Sequence, residues 1–248
     1  VRAAIHHTFS TPQLKVALQG QGTPVVLSHA LGADLHLWDE LAAALGEHHE
    51  VLRYDHRGHG GSAVPAGPYT QDDLVDDAAR LIREWGRGPV VFIGLSMGGM
   101  VAQGLAVRHP ELLRGLVVAN SSARYPAEAR AMWDQRIAAI EQGGLATIAE
   151  GTMERWFTPG FRAARPAVVE RTRQTLLRTP AAGYIACGRA VQSVDWLDRL
   201  AAVRAPTLVI AGAQDAGAPP AMSEAMAARI AGAQLTVLDS AHISVAEQ

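Results

Sequence analysis

The feature that most constrains this chain is a five-residue stretch, Gly94-Leu-Ser-Met-Gly98, set between two contrasting patterns. Before it, Val90-Val-Phe-Ile is apolar and favours a strand; after it, a helical spacing begins at Met100. Gly-x-Ser-x-Gly between a strand and a helix predicts a sharp turn that holds its serine in a strained backbone conformation. Side chains at Gly94 and Gly98 would collide where strand and helix approach, which explains glycine at both. Such a turn puts the Ser96 hydroxyl at its tip, beside the amide of Met97. The same pattern also suits a plain strand–helix turn, or one that holds a phosphate at the helix N-terminus. The remaining sequence discriminates between these readings.

Along the chain, strand-like runs alternate with helical ones. Ile5–Phe9 and Leu14–Leu18 read as strands, as do Pro24–Ser28, Val51–Tyr54, Gly115–Ala119, Thr207–Ala211 and Gln234–Leu238. Helical spacing covers Leu35–Leu45, Gln71–Trp85 and Ala221–Ala231, with Thr70 as an N-cap ahead of an acidic first turn. The runs are apolar enough to be covered on both sides. This predicts an α/β fold with a mostly parallel central sheet and helices on both faces. Between Ala119 and Thr207 the chain is far longer than one crossover needs. Helical patterns there lie near Pro126–Gln142, Leu145–Trp156, Ala167–Arg178 and Ala181–Val191, broken at Gly143-Gly144, Pro159-Gly160 and Thr179-Pro180. We therefore expect a core of residues 1–123 and 205–248 with a helical lid, residues 124–204, inserted into it.

The bulk properties narrow the partners. With 248 residues, 48% of them hydrophobic, and a net charge of −2, the chain suits a globular domain with a sizeable core. No basic stripe suggests nucleic acid, and no run approaches the length of a membrane span. Cys187 is the single cysteine, which fits a cytoplasmic protein and offers no cysteine cluster for zinc. Val1-Arg-Ala-Ala-Ile-His-His is too polar for a signal-peptide core, and its missing initiator Met suggests that residues precede it. The charge is uneven: residues 124–204 hold 12 Arg and 8 acidic residues, +4, against −6 for the rest. A basic lid over an acidic body favours a small anionic substrate, although most of these arginines suit solvated helix faces.

A serine of ordinary pKa needs a base, and the base an orienting acid. On such a sheet both come from later strand ends, in the order Ser, Asp or Glu, His. Only His109 and His242 follow Ser96. His109 closes the elbow's own helix, far from its tip, so His242, just after the last strand, is the expected base. Asp215, after Thr207–Ala211, is the expected acid, with Asp239 as a rival that reads equally as a turn residue. The strand ending at Ala119 is followed by Asn120 and Ser121, neither a carboxylate. Oxyanion donors are expected from the backbone N–H groups of Met97 and Leu31, with Ala30 as the neighbour that could replace Leu31. His29 then steadies that loop and is no second base.

With those residues placed, the chain resembles the α/β-hydrolases and, within them, the 3-oxoadipate enol-lactonases of aromatic catabolism. The likeness is carried by Leu31-Gly-Ala-Asp-Leu-His-Leu-Trp38, Arg53-Tyr-Asp-His-Arg-Gly-His-Gly60, Gly67-Pro-Tyr-Thr70, the elbow, and Ala241-His-Ile-Ser244. In the lid it is carried by Trp133-Asp-Gln-Arg136, Arg155-Trp-Phe157 and Gly183-Tyr184. Two stretches depart from the pattern: Cys187-Gly-Arg-Ala190 puts an extra Arg189 in the lid, and His29-Ala30 replaces a more polar pair. The resemblance also implies one more helix beyond Gln248.

It further implies hydrolysis of a small carboxylated lactone by Ser96, His242 and Asp215, with no metal or cofactor. For the substrate carboxylate the candidates are Arg136 and Arg155, with Trp133 and Trp156 as apolar walls; each also reads as lid packing or surface charge. A general carboxylesterase, a carbon–carbon bond hydrolase, a perhydrolase and a lactone-sensing receptor would share the same core.

Overall fold

The apolar runs of the sequence become the strands of one twisted sheet. The computed structural model describes residues 5–9 and 12–248; Val1–Ala4, Ser10 and Thr11 lie outside the described residues. The strands are β1 (Ile5–Phe9), β2 (Leu14–Gly20), β3 (Thr23–Ser28), β4 (His49–Tyr54), β5 (Val90–Leu95), β6 (Leu113–Ala119), β7 (Thr207–Gly212) and β8 (Gln234–Leu238). Their order across the sheet is β1-β2-β4-β3-β5-β6-β7-β8. β2 runs antiparallel to both its neighbours, and every later pairing is parallel. Val25 to Ser28 are all buried in the central β3, so both faces of the sheet are covered there.

The helices of the core follow the strands they connect. α1 (Asp39–Leu45) packs on β4, and α2 (Gln71–Trp85) packs on α3 (Met97–Arg108), which lies along β5 and β6. Thr70 caps α2 as expected: its hydroxyl accepts the Asp73 N–H at 3.1 Å while the Asp73 carboxylate accepts the Thr70 N–H at 2.8 Å. α3 is buried from Met97 to Ala106, which is why its sequence lacks an amphipathic pattern. Leu35–Leu45 divides into a tight 3₁₀ turn over Leu35–Trp38 followed by α1, because the Asp34 carboxylate captures the His36 N–H and starts the coil early. The helix read over Ala221–Ala231 is shorter than its apolar pattern: it spans Pro220–Ala227 and passes into turns before Gly232.

Between β6 and β7 run α4 (Ala127–Gly143), α5 (Ala146–Trp156), α6 (Pro159–Ala164), α7 (Pro166–Arg178) and α8 (Ala181–Gln192), which makes the later Pro220–Ala227 helix α9. Pro159-Gly160, which reads as a break, instead opens α6: the Thr158 hydroxyl accepts the Phe161 N–H, and proline at the first helical position needs no hydrogen-bond partner. The two ends of the insert meet at a neck, where the Trp196 N–H donates to the Ala123 carbonyl at 2.8 Å and Arg124 pairs with Asp195. Gly58 and Gly183 join insert to core. A Cβ on Gly183 would lie 2.2 Å from the Gly58 carbonyl, so α8 reaches the loop after β4 only with glycine on both sides.

A second junction ties the insert to the loop after β8. The Ile243 N–H donates to the Trp156 carbonyl at 3.0 Å. Glu247, in α10 (Ser244–Glu247), accepts from the Thr158 N–H and hydroxyl and from the Ala241 N–H. Among the described residues no helix is long and apolar enough to cross a membrane.

Candidate active site

The strand–helix turn after β5 has the strain its sequence implies. Ser96 sits at φ 57°, ψ −115°, a conformation that costs a non-glycine residue on the order of 1–3 kcal/mol. Surrounding bonds hold it: the Ser96 N–H donates to the Ala119 carbonyl at 2.9 Å, and the Ser121 hydroxyl donates to the Ser96 carbonyl at 2.8 Å. The flanking glycines are sterically required. A Cβ on Gly94 would lie 2.1 Å from the Gly98 carbonyl, and one on Gly98 would lie 2.0 Å from the Ser28 carbonyl.

The loops after β7 and β8 bring the other two expected residues to this turn. His242 Nε2 is 2.9 Å from Ser96 Oγ, and His242 Nδ1 is 2.7 Å from Asp215 Oδ2. The remaining oxygen of Asp215 accepts the Gly217 and Ala218 N–H groups, each at 2.9 Å. Burial alone would push the Asp215 carboxyl up. The imidazole beside it, the Ala218 amide and the Asn120 amide outweigh burial and hold it below the usual carboxylate range. Asp239 points elsewhere, to an exposed hydrogen bond with Gln214 at 2.9 Å. His109 lies at the far end of α3 among Arg83, Asp76 and Glu111.

Asn120, immediately after β6, stands out in the sequence only because it is not a carboxylate. Its Nδ2 donates to Asp215 Oδ2 and to the Ala241 carbonyl, both at 3.1 Å, and its Oδ1 accepts the Ser244 hydroxyl at 2.6 Å. The signal that could have exposed it is its slot at the end of a strand next to the elbow.

The loop after β3 is steadied by three buried histidines. His29 donates from Nδ1 to the Ala30 carbonyl at 2.8 Å and accepts the His56 N–H on Nε2 at 3.0 Å. His59 Nε2 accepts the Gly32 N–H at 2.9 Å, leaving Nδ1 to donate to the Arg57 carbonyl. A ring nitrogen that accepts an amide proton has no room for its own, so both imidazoles are neutral. Burial lowers His29 to about 4 and His59 to about 3, and pushes His56 well down. Between these bonds the Leu31 N–H, like that of Met97, is not taken up by an acceptor among the described residues.

A stability prediction follows. Histidines whose folded pKa lies below the unfolded value of 6.5 stabilise the fold fully above that value. The contribution is lost as pH falls toward about 4 for His29 and about 3 for His59. The melting temperature should drop steeply from about pH 6.5 to about pH 4. His59→Gln retains an acceptor for Gly32 without a titration, and should flatten that drop in a thermal-shift series.

The four lid candidates fall into two groups. Trp156 lies against His242, with ring centroids 6.5 Å apart and planes at 29°. Arg136 donates from Nε to the Tyr184 hydroxyl at 2.9 Å and from Nη2 to the Thr152 hydroxyl at 2.8 Å. Its guanidinium also lies 5.7 Å from the Trp133 ring and 5.8 Å from the Tyr184 ring. Arg155, on the exposed side of α5, reaches Thr152 at 3.4 Å; partial burial of its head and the neighbouring Arg136 charge lower its pKa. Thr152 and Trp156 are both buried on α5, four residues and about 6 Å apart along its axis, and so share a face of that helix. Sequence reasoning missed Thr152 and the role of Tyr184 as a partner of Arg136, because a buried hydroxyl has no signature in a helical pattern. Arg189 turns away and pairs with Asp134.

Comparison with known proteins agrees with this architecture. The alpha/beta hydrolase fold family matches residues 23–248. The chain is 36% identical over 230 residues to 3-oxoadipate enol-lactonase 2 of Acinetobacter baylyi, covering 93% of this chain and 85% of that protein. It superposes on the crystal structure of the enol-lactonase from Burkholderia xenovorans LB400 with a TM-score of 0.94 at 33% identity, covering 98% of this chain and 94% of the other. A hydrolase from Pseudomonas aeruginosa PA01 gives a TM-score of 0.93 at 39% identity, covering 100% of this chain and 94% of that one. Family match, relatives and sheet topology converge, and the chain belongs to the α/β-hydrolase fold family.

Proposed function

We propose that Ser96, His242 and Asp215 of this carboxylic ester hydrolase open a small lactone that carries a carboxylate, with 3-oxoadipate enol-lactone as the substrate and 3-oxoadipate as the product. The observation that carries the reading is the continuous relay from Ser96 Oγ to His242, 2.9 Å, and from His242 to Asp215, 2.7 Å. His242 Nε2 takes the serine proton as Oγ attacks the lactone carbonyl. Asp215 stabilises the imidazolium that forms, and the Leu31 and Met97 amides hold the oxyanion. Ring opening expels an enolate, which becomes a ketone on protonation. Water, deprotonated by the same imidazole, then releases the acyl group. An enolate leaves more readily than an alkoxide, so the lid has selection as its main task.

The choice of a carboxylated substrate is supported by how the insert's arginines are partnered. Arg124, Arg165, Arg173 and Arg189 each face a carboxylate. Arg136 is held by two neutral hydroxyls, which orient its guanidinium without neutralising it. A half-buried cation of this kind suits an anionic ligand. The names of the enol-lactonase relatives support the same choice.

The test is a panel of matched carboxylated and neutral lactones and esters. Arg136→Met should raise KM for carboxylated substrates by about 10- to 100-fold, the worth of a charge-assisted hydrogen bond, and leave neutral p-nitrophenyl esters within about 3-fold. Equal losses on both classes would remove the carboxylate from the reading and leave a general esterase.

A further inference from the structure

We infer that Asn120 is a positioning residue that sets the charge balance of the Asp215–His242 pair, and that only an asparagine meets the three demands its place in the fold makes. The inference rests on the Ser96–His242–Asp215 reading above.

The first demand is on the backbone. Asn120 has φ 47°, and its N–H donates to the Ile210 carbonyl at 2.8 Å, which fixes the chain as it leaves β6. The left-handed region is open to glycine and tolerated by Asn and Asp, so most other side chains are strained there. The second demand is a donor for the acid. Asp215 Oδ2 receives the Asn120 Nδ2 proton as well as the His242 Nδ1 proton, so the amide shares the oxygen that orients the base. The third demand is an acceptor and a further donor for the loop that carries His242. Asn120 Oδ1 accepts from Ser244 and Nδ2 donates to the Ala241 carbonyl, two residues after His242 and one before it.

Glycine satisfies the first demand alone. An ionised aspartate satisfies the first and keeps the Ser244 bond, but has no proton for Asp215 or Ala241. Asparagine satisfies all three. Asn120 thus joins the ends of β6, β7 and the loop after β8 through one buried amide, and feeds a donor to the acid that no backbone group supplies on that side.

Other titratable groups face this cluster. Tyr125 is buried near enough to feel the Asp215 charge. Glu247 holds the Ala241 N–H, and Asp239 is turned outward onto Gln214. All remain in every variant below.

The experiment measures kcat, KM and the pH dependence of kcat/KM on a p-nitrophenyl ester for wild type, Asn120→Gly, Asn120→Asp and Ser244→Ala. Thermal melts report the folded fraction of each. Asn120→Gly tolerates the backbone and removes the amide; kcat should fall about 10- to 100-fold with KM within about 3-fold, as expected for one hydrogen bond to a charged group. Asn120→Asp keeps the shape and reverses the interaction. With a second carboxylate next to Asp215, the coupled carboxylate pair and imidazole take up a proton at higher pH, so the acid limb of kcat/KM should move up by about one unit. Ser244→Ala leaves the backbone conformation unchanged and frees the amide; it should lower kcat by several fold.

A purely structural Asn120 would lower activity only in proportion to the lost folded fraction and would leave the acid limb in place. That outcome, in folded Asn120→Asp or Asn120→Gly, overturns the inference. If only Ser244→Ala folds, unchanged kcat overturns it as well. Turnover surviving in Ser96→Ala would instead overturn the underlying relay, so the two failures are distinguishable.

Discussion

Ser96→Ala is expected to lower kcat on any lactone or ester the protein accepts by about 10⁴- to 10⁶-fold, with the fold intact. Oγ is the atom that His242 Nε2 faces at 2.9 Å, and Ser121, two backbone bonds and the close glycines hold the turn without needing it. Residual turnover would come from the oxyanion donors alone. A fluorophosphonate probe should label wild type once per chain, as read by intact mass, and leave Ser96→Ala unlabelled. Turnover within about tenfold of wild type would end the nucleophile reading. The companion Ser96→Gly should be as inactive yet more stable, by on the order of 1–3 kcal/mol, because glycine occupies φ 57° without strain. A stability gain together with loss of activity would identify the turn as strained for the sake of its hydroxyl.

The second large effect is expected at Asp215→Asn, a loss on the order of 10⁴-fold in kcat with KM little changed. Both oxygens of Asp215 face donors: Gly217 and Ala218 on one, Asn120 and His242 on the other. An asparagine has one oxygen, and the two backbone amides compete for it. Its NH₂ then meets the imidazole, which must present an unprotonated Nδ1 and carry its proton on Nε2. In that tautomer Nε2 has no lone pair for the serine proton. Single-turnover kinetics should place the loss in the chemical step. The same variant should alter acid stability. A carboxyl held below its unfolded pKa stabilises the fold above the ordinary carboxyl range, and that contribution is lost as pH falls. Asp215→Asn removes that part of the pH dependence. A loss appearing in KM alone would assign Asp215 to binding and not to the relay.

Much of this is legible in the residues. Val90–Gly104 announces the turn because its steric rules are local, and two glycines and a strand-to-helix change of period suffice. The placement of His242 and Asp215 beside Ser96 is legible because chain order restricts which later strand ends can reach the elbow. Helix ends are harder to read. Pro159-Gly160 reads as a break until Thr158 is seen to cap it, and Leu35–Trp38 reads as regular helix until Asp34 is seen to tighten it. Asn120, Ser244 and Thr152 are hidden for a different reason. Each acts through hydrogen bonds to residues distant in sequence, and neither periodicity nor charge records such bonds.

The junction between insert and core bears on how far the molecule is modular. The Trp156 carbonyl holds the amide of Ile243, the residue after the imidazole, and Thr158 is pinned to Ala241, the residue before it, through Glu247. The α5–α6 corner and the loop that carries the imidazole are therefore tied to each other on both sides of His242. Exchanging this insert for that of a relative also exchanges a support of the loop that carries His242. A chimaera that keeps substrate contacts but misplaces the Trp156 carbonyl would bind and fail to turn over. Any opening that leaves the relay assembled has to pivot at another edge of the insert.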